Sequence, residues 1–259
     1  MGAVGNNGVG VVGVNWQCNI MALRFLGGNG GSISDAIAAL NYAKNKNVRV
    51  SNNSWGGGGF SNSMHTAINN AKSVGHVFVA AAGNSGVNID NNPMYPAAYD
   101  NTNLVAVAAT NSNDGRPNWS NYGLTRVDLG APGDNILSTF NSSYTTGSGT
   151  SMAAPHVSGV MALVISETPS LTFDQAISQV LSTVRPVGSM SGKTVTGGVL
   201  DAMGAIGGSP NTPPVITVNS PANGATFPTG TSISFNTTTI DNEDGNISNQ
   251  VIWTSSLDG

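Results

Sequence analysis

Residues 152–166 are apolar almost all the way round a helix, and this run constrains the fold more than any other feature. A surface helix keeps a polar face, so a helix without one has to be covered on all sides, at the centre of a layered domain. The covering layers are legible upstream. Residues 11–14 and 19–23 read as short strands, followed by a helix near 34–45 with Ile33, Ile37 and Leu40 on its apolar face. The pattern repeats with a strand at 48–52, a helix at 63–74 (Met64, Ala67, Ile68 and Ala71 on one face) and a strand at 76–82. Further strands are expected at 104–108, 127–129 and 136–139, an amphipathic helix at 173–184, and a closing segment at 197–206. Continuously apolar strands separated by helices predict an α/β fold: a three-layer, doubly wound, mostly parallel sheet with helices on both faces.

The chain of 259 residues is long enough for one large domain or one domain and a fragment. The composition changes at Gly207, where Gly, Ser, Pro, Asn and Thr run to Pro214 with no capacity to pack a core. The expected organisation is therefore a first domain at 1–206, a linker at 207–214 and a β module at 215–259. Short strands at 215–218, 232–235 and 251–254 suggest the start of an Ig-like sandwich, which needs about 100 residues when complete. Charged residues make up 8% of the chain and the net charge is −4, which leaves no basic surface for nucleic acid. No apolar run approaches the ~20 residues that span a bilayer. Cys18 is the single cysteine and forms no internal disulfide. Met1 is followed by Gly2 and Ala3 with no basic stretch, so any export signal is expected upstream.

Three segments could carry chemistry. In Gly149-Thr150-Ser151-Met152-Ala153-Ala154-Pro155-His156 a serine opens the buried helix, where unpaired backbone N–H groups favour negative charge on a reacting oxygen. The same pattern also fits a simple capping serine followed by a first-turn proline. In Ala80-Ala81-Ala82-Gly83-Asn84-Ser85-Gly86 an apolar strand ends in Gly-Asn, at the carboxyl edge of the sheet where ligands of open α/β folds bind. Asn84 there is either an amide donor to an oxyanion or a turn residue. Asn53-Ser54-Trp55-Gly56-Gly57 ends the preceding strand, and its backbone offers either an edge for an extended peptide or a plain loop. A G-x-S-x-G elbow is not present, since Ala153 stands where its last glycine would be.

In this order and spacing the segments resemble the subtilisin-like serine proteases over residues 1–206, through ALRFLGGNGG, NNSWGG, AAAGNSG, YPAAYDN, APGDNILST and GTSMAAPHVSG. The resemblance implies a secreted endopeptidase of monomeric habit acting on polypeptide substrates. Ser151 would be the nucleophile, and Asn84 with the Ser151 N–H the oxyanion donors. Substrate would lie between Gly30-Gly31-Ser32 and Ser54-Trp55-Gly56. Ala81, Ala82 and Gly83 would wall the first specificity pocket, and Met94 would narrow it in favour of mid-sized apolar side chains. The loop holding Gly5, Asn7, Val9 and Val11 is similar to the family's calcium loop and implies half of a Ca²⁺ site. Asp241, Glu243 and Asp244 before Gly245 read as an acidic turn rather than a second one.

A serine nucleophile also needs a base and an orienting carboxylate. His156 lies five residues after Ser151 on one helix and faces away, as a hydrogen-bonded packing residue. His76 begins the strand that ends near Asn84, roughly 20 Å from the carboxyl edge. His65 reads as a solvated helix residue with no acid partner nearby. The family's D-[ST]-G and H-G-T-H segments do not occur, and residues 3–11 look like the stretch that follows the second of them. The chain is thus expected to be an interior piece of a protease, inactive alone, with the triad Asp and His upstream. Two alternatives remain at this stage: a catalytically dead peptide-binding scaffold, and an Ig-like adhesive or spacer protein.

Overall fold

The computed structural model describes residues 1–208, 214–241 and 245–254. The chain divides into two compact units, Met1–Gly207 and Gly208–Gly259. The first opens with about 30 residues that hold no helix or strand beyond a Gly27–Gly30 bridge. Helix α1 (Ile33–Asn45) leads to strand β1 (Val50–Asn53), α2 (Asn62–Ala71) with a 3₁₀ turn, β2 (Val77–Ala81) and β3 (Leu104–Thr110). Then come β4 (Leu129–Pro132), a hairpin of β5 (Ile136–Phe140) and β6 (Ser143–Gly147), α3 (Thr150–Glu167), α4 (Phe173–Ser182), β7 (Arg185–Pro186), β8 (Gly198–Val199) and α5 (Ala202–Ala205).

The central sheet has the order β1-β2-β3-β4-β8-β7, parallel except for the β7–β8 pair. Every residue of β2 and β3 is buried, because the pleat sends alternate side chains into two separate cores. Phe78, Ala80, Ala106 and Ala108 pack with Leu40, Met64 and Ile68 of α1 and α2. Val77, Val79, Val105 and Val107 pack on the other face with Val157, Val160, Met161 and Val164 of α3 and Val180 of α4. The expected three-layer α/β fold is what forms, and α3, apolar all round, lies between the sheet and α4.

Four expected strands do not form. Residues 11–14 and 19–23 are irregular, with Val12 at 61% and Ile20 at 62% exposure, since apolar character without a neighbouring strand completes no ladder. The run at 136–139 is a strand, but one that turns back at Asn141 and Ser142 (φ 44° and 63°) as a hairpin outside the main sheet. In the second unit β9 (Val215–Ser220), β10 (Asn236–Asp241) and β11 (Gly245–Asn246) form an antiparallel sheet. The strand expected at 232–235 falls instead on the β-branched run after it, and residues 251–254 follow a 3₁₀ turn as an unpaired segment. The linker core 209–213 and two members of the acidic turn, Glu243 and Asp244, lie outside the described residues.

Candidate active site

The carboxyl ends of β1 and β2 and the amino end of α3 converge. Ser151 is the second residue of α3, where the first N–H groups of a helix have no intrahelical acceptor. Among the described residues the N–H of Ser151 meets no protein acceptor and stays available to a ligand. Pro155, four residues on, has no N–H to give to the carbonyl of Ser151. Ser54 supplies that donor from the end of β1: its Oγ donates to the Ser151 carbonyl at 2.8 Å, and Ser151 Oγ donates to the Ser54 carbonyl at 3.3 Å. The helix that carries the serine is thereby tied to the strand expected to face substrate.

Asn84 lies just past β2, after Ala82 and Gly83. Its Oδ1 accepts from both the N–H and the Oγ–H of Thr150, at 2.8 and 2.9 Å, while Thr150 Oγ accepts from the N–H of Gly83 at 2.9 Å. With its oxygen held twice, the exposed Asn84 side chain presents its Nδ2–H₂ group beside the amino terminus of α3. Two donors, one from a side-chain amide and one from a helix N-terminus, thus adjoin one serine, an arrangement suited to an oxyanion. Thr150 stands inside the sequence motif, yet its role is visible only in three dimensions.

The remaining expected residues divide into two groups. Ser54, Trp55, Gly56, Ala81, Ala82, Gly83 and Met94 gather at this edge. The Met94 methyl lies 3.0 Å from where a Cβ on Gly56 would stand and 3.2 Å from one on Gly83, so it fills the space between the segments that follow β1 and β2. Trp55 donates from Nε1 to Asn53 Oδ1 at 3.1 Å and meets Phe25 edge to face at 5.1 Å. Gly30, Gly31 and Ser32 make no hydrogen bond to the 54–56 segment. Ser32 caps α1, its Oγ accepting from the N–H of Asp35.

The three histidines are engaged elsewhere. His156 Nδ1 lies 2.9 Å from the Met152 carbonyl, one turn back on α3, and burial lowers its pKa. His76 is fully buried at the amino end of β2, between the Val48 carbonyl (2.6 Å) and Ser51 Oγ (2.8 Å), and burial lowers its pKa too. His65 departs from the sequence reading: Asp100, 35 positions away, comes within 2.8 Å of its Nε2, and that bond lowers the Asp100 pKa. The turn after Tyr99 folds back onto the first turn of α2, a contact no local pattern announces. One carboxylate sits away from the site, at the foot of β4. Asp128 Oδ2 accepts from the N–H of Ala106 at 2.7 Å, and burial pushes the carboxyl up to about 7.

Beyond β1 the sheet edge is open among the described residues, beside a groove of about 840 Å³ lined by Ile20, Met21, Leu23, Leu40, Val50 and Trp55. The loop of Gly5, Asn7, Val9 and Val11 offers neutral oxygens only, and Asn7 Oδ1 already accepts from the N–H of Val9 at 3.0 Å. No cluster of three carboxylate, His or Cys side chains occurs among the described residues. Ca²⁺ sites generally include a carboxylate, so this loop by itself does not fit one.

The model of the Subtilase family matches residues 1–205. Subtilisin Savinase of Lederbergia lenta is 40% identical over 186 residues, which cover 71% of this chain and 67% of that protein. Thermitase of Thermoactinomyces vulgaris is 41% identical over 167 residues, 64% of this chain and 58% of its own length. Among solved structures, a protease from Pseudoalteromonas arctica PAMC 21717 superposes with a TM-score of 0.73 at 35% identity, over 80% of this chain and 67% of its own.

Proposed function

The chain belongs to the subtilase family, and from that premise we propose that it is the nucleophile-bearing part of a serine endopeptidase that hydrolyses extended polypeptides. Ser151 Oγ attacks the scissile carbonyl, and the Asn84 Nδ2–H and Ser151 N–H stabilise the oxyanion that forms. The observation that carries this reading is the double hold of Thr150 on Asn84 Oδ1, which spends the amide's acceptor and leaves its donor free beside Ser151. Substrate backbone lies along Ser54-Trp55-Gly56, with Gly30-Gly31-Ser32 on its other side. The pocket between Gly56 and Gly83 is shortened by Met94, which favours Leu or Ala over Phe before the cleaved bond.

All three histidines are bonded away from Ser151, so the base and its carboxylate come from polypeptide outside these residues. The open edge of β1 and the exposed apolar residues Ile20 and Met21 in the groove beside it support a covering segment on that side. That segment also supplies the carboxylate a Ca²⁺ ion would need at the loop of Gly5, Asn7, Val9 and Val11. Family kinship supports action outside the cell, and no described helix is long and apolar enough to cross a membrane.

A fluorophosphonate probe and Leu- and Phe-terminated peptide anilides test the reading on the intact protease, its Ser151→Ala variant and the 259-residue chain alone. Expected are labelling and cleavage by the intact protein, loss of both in Ser151→Ala, preference for Leu, and little turnover by the chain alone. Cleavage that survives Ser151→Ala overturns the proposal. Peptide binding without cleavage by the intact protein favours the scaffold alternative.

A further inference from the structure

We propose that Asn121 is a positioning residue for the oxyanion donor Asn84, an inference that rests on the endopeptidase reading and adds a residue to its machinery. Asn121 is 1% exposed, makes no hydrogen bond to Ser151, and backs the expected pocket wall at Ala82 and Gly83 from behind. Its amide instead holds the loop on both sides of Asn84. Oδ1 accepts from the N–H groups of Ser85 and Val87, at 3.0 and 3.1 Å, and Nδ2 donates to the carbonyl of Ala82 at 2.8 Å. Its backbone N–H donates to the carbonyl of Gly83 at 2.9 Å.

One residue thus satisfies two donors and two acceptors between positions 82 and 87, with Asn84 in the middle. A primary amide suits this task because one end accepts twice while the other donates, which neither a carboxylate nor a hydroxyl does in that geometry. The approach is close enough to dictate Gly83: a Cβ there would stand 2.4 Å from Asn121 Nδ2, and φ is +103°.

Asn121 is itself anchored to the sheet. Ser120 Oγ accepts from the N–H of Ala109 in β3 at 2.9 Å and donates to the Asn121 carbonyl at 3.1 Å. Flanking backbone bonds, Gly86 N–H to Trp119 O and Tyr122 N–H to Val87 O, continue the seam. Asn84 and Ser85 are exposed, and an exposed loop would ordinarily wander. The seam transmits the rigidity of β3 to a side chain whose placement matters for turnover, where a misplacement of about 1 Å can lower rate ~100-fold.

The test is a double-mutant cycle on the intact protease. Asn121→Ala is expected to lower kcat ~10- to 100-fold with KM within about twofold, and to weaken a peptide boronate, which forms a tetrahedral adduct, in proportion. In an Asn84→Ala background the same substitution should cost less than about twofold, because Asn121 acts through Asn84. Asn121→Asp keeps both acceptor positions but loses the donor to Ala82, and should fall between. An unchanged kcat, a change in KM alone, or an equal loss in both backgrounds overturns the proposal.

Should Asn121→Ala fail to fold, amide exchange in the unaltered protein decides. The Ser85 and Val87 N–H groups are expected to exchange ~100-fold slower than in a free loop, and free-loop rates overturn the clamp. If Asn84→Ala leaves turnover intact, the oxyanion reading itself falls, whatever Asn121 does.

Discussion

The two sides of Ser151 are built differently. On the oxyanion side, Thr150 and Asn121 hold the strand end and loop that carry Asn84 through bonds of 2.8 to 3.1 Å. On the other side, Ser151 Oγ meets only a backbone carbonyl at 3.3 Å, and past β1 lies a groove with exposed apolar residues such as Ile20 at 62%. The first side is self-sufficient because Thr150 opens the buried helix α3 and Asn121 is bonded through Ser120 to β3, whose two faces lie in two cores. The second depends on what packs against β1.

The largest effect that would sharpen this contrast is in the core beneath the oxyanion side. Met161→Ala should lower stability by about 2–5 kcal/mol, read from denaturant unfolding, because Met161 is fully buried under α4. Met21→Ala, at 43% exposure beside the groove, should change stability by less than ~0.5 kcal/mol in the chain alone. Equal losses would erase the distinction.

Next comes Asn84→Ala, for which a loss of ~10² to 10³ in kcat of the intact protease is expected, the cost established for one oxyanion donor in a subtilisin. Thr150→Val, which keeps the shape but removes the hydroxyl between Gly83 and Asn84, should cost less, roughly 10-fold by loss of aim alone. A Thr150→Val loss greater than that of Asn84→Ala would mean that Thr150 does more than orient the amide.

Asp128 gives a pH-dependent comparison. Its folded form keeps the proton up to about 7, whereas the unfolded chain releases it near 3.8, so the folded state binds more protons between these values and loses stability as pH rises. Asp128→Asn should therefore raise the thermal midpoint at pH 8 and leave it nearly unchanged at pH 4. His76 has the opposite sign. Its pKa is lowered by burial, so the unfolded chain binds more protons below about 6.5 and stability falls on acidification. A small effect also belongs to the exposed pair His65–Asp100, where Asp100→Asn should cost less than ~1 kcal/mol in a thermal scan.

Much of this was legible in the sequence because it is local. The all-apolar run in α3 demanded a layer on each side, and the continuous strands β2 and β3 demanded a parallel sheet. The positions of Ser151 and Asn84 followed from a helix start and a strand end. Other features were not legible, because they join residues that no periodicity links. Asp100 reaches His65 across 35 positions, Asn121 reaches Ser85 across 36, and Ser54 finds the Ser151 carbonyl across 97. Residues 11–14, 19–23 and 232–235 mark the opposite failure, since strand character is a property of the segment but a strand exists only with a partner in register. The sequence by itself determined the layers, a serine at the start of the buried helix and an amide side chain just past a strand end. Tertiary structure alone decided which way the Asn84 amide faces, because a side chain's aim is set by the hydrogen bonds that oppose it, and those came from Thr150 and from the loop that Asn121 holds.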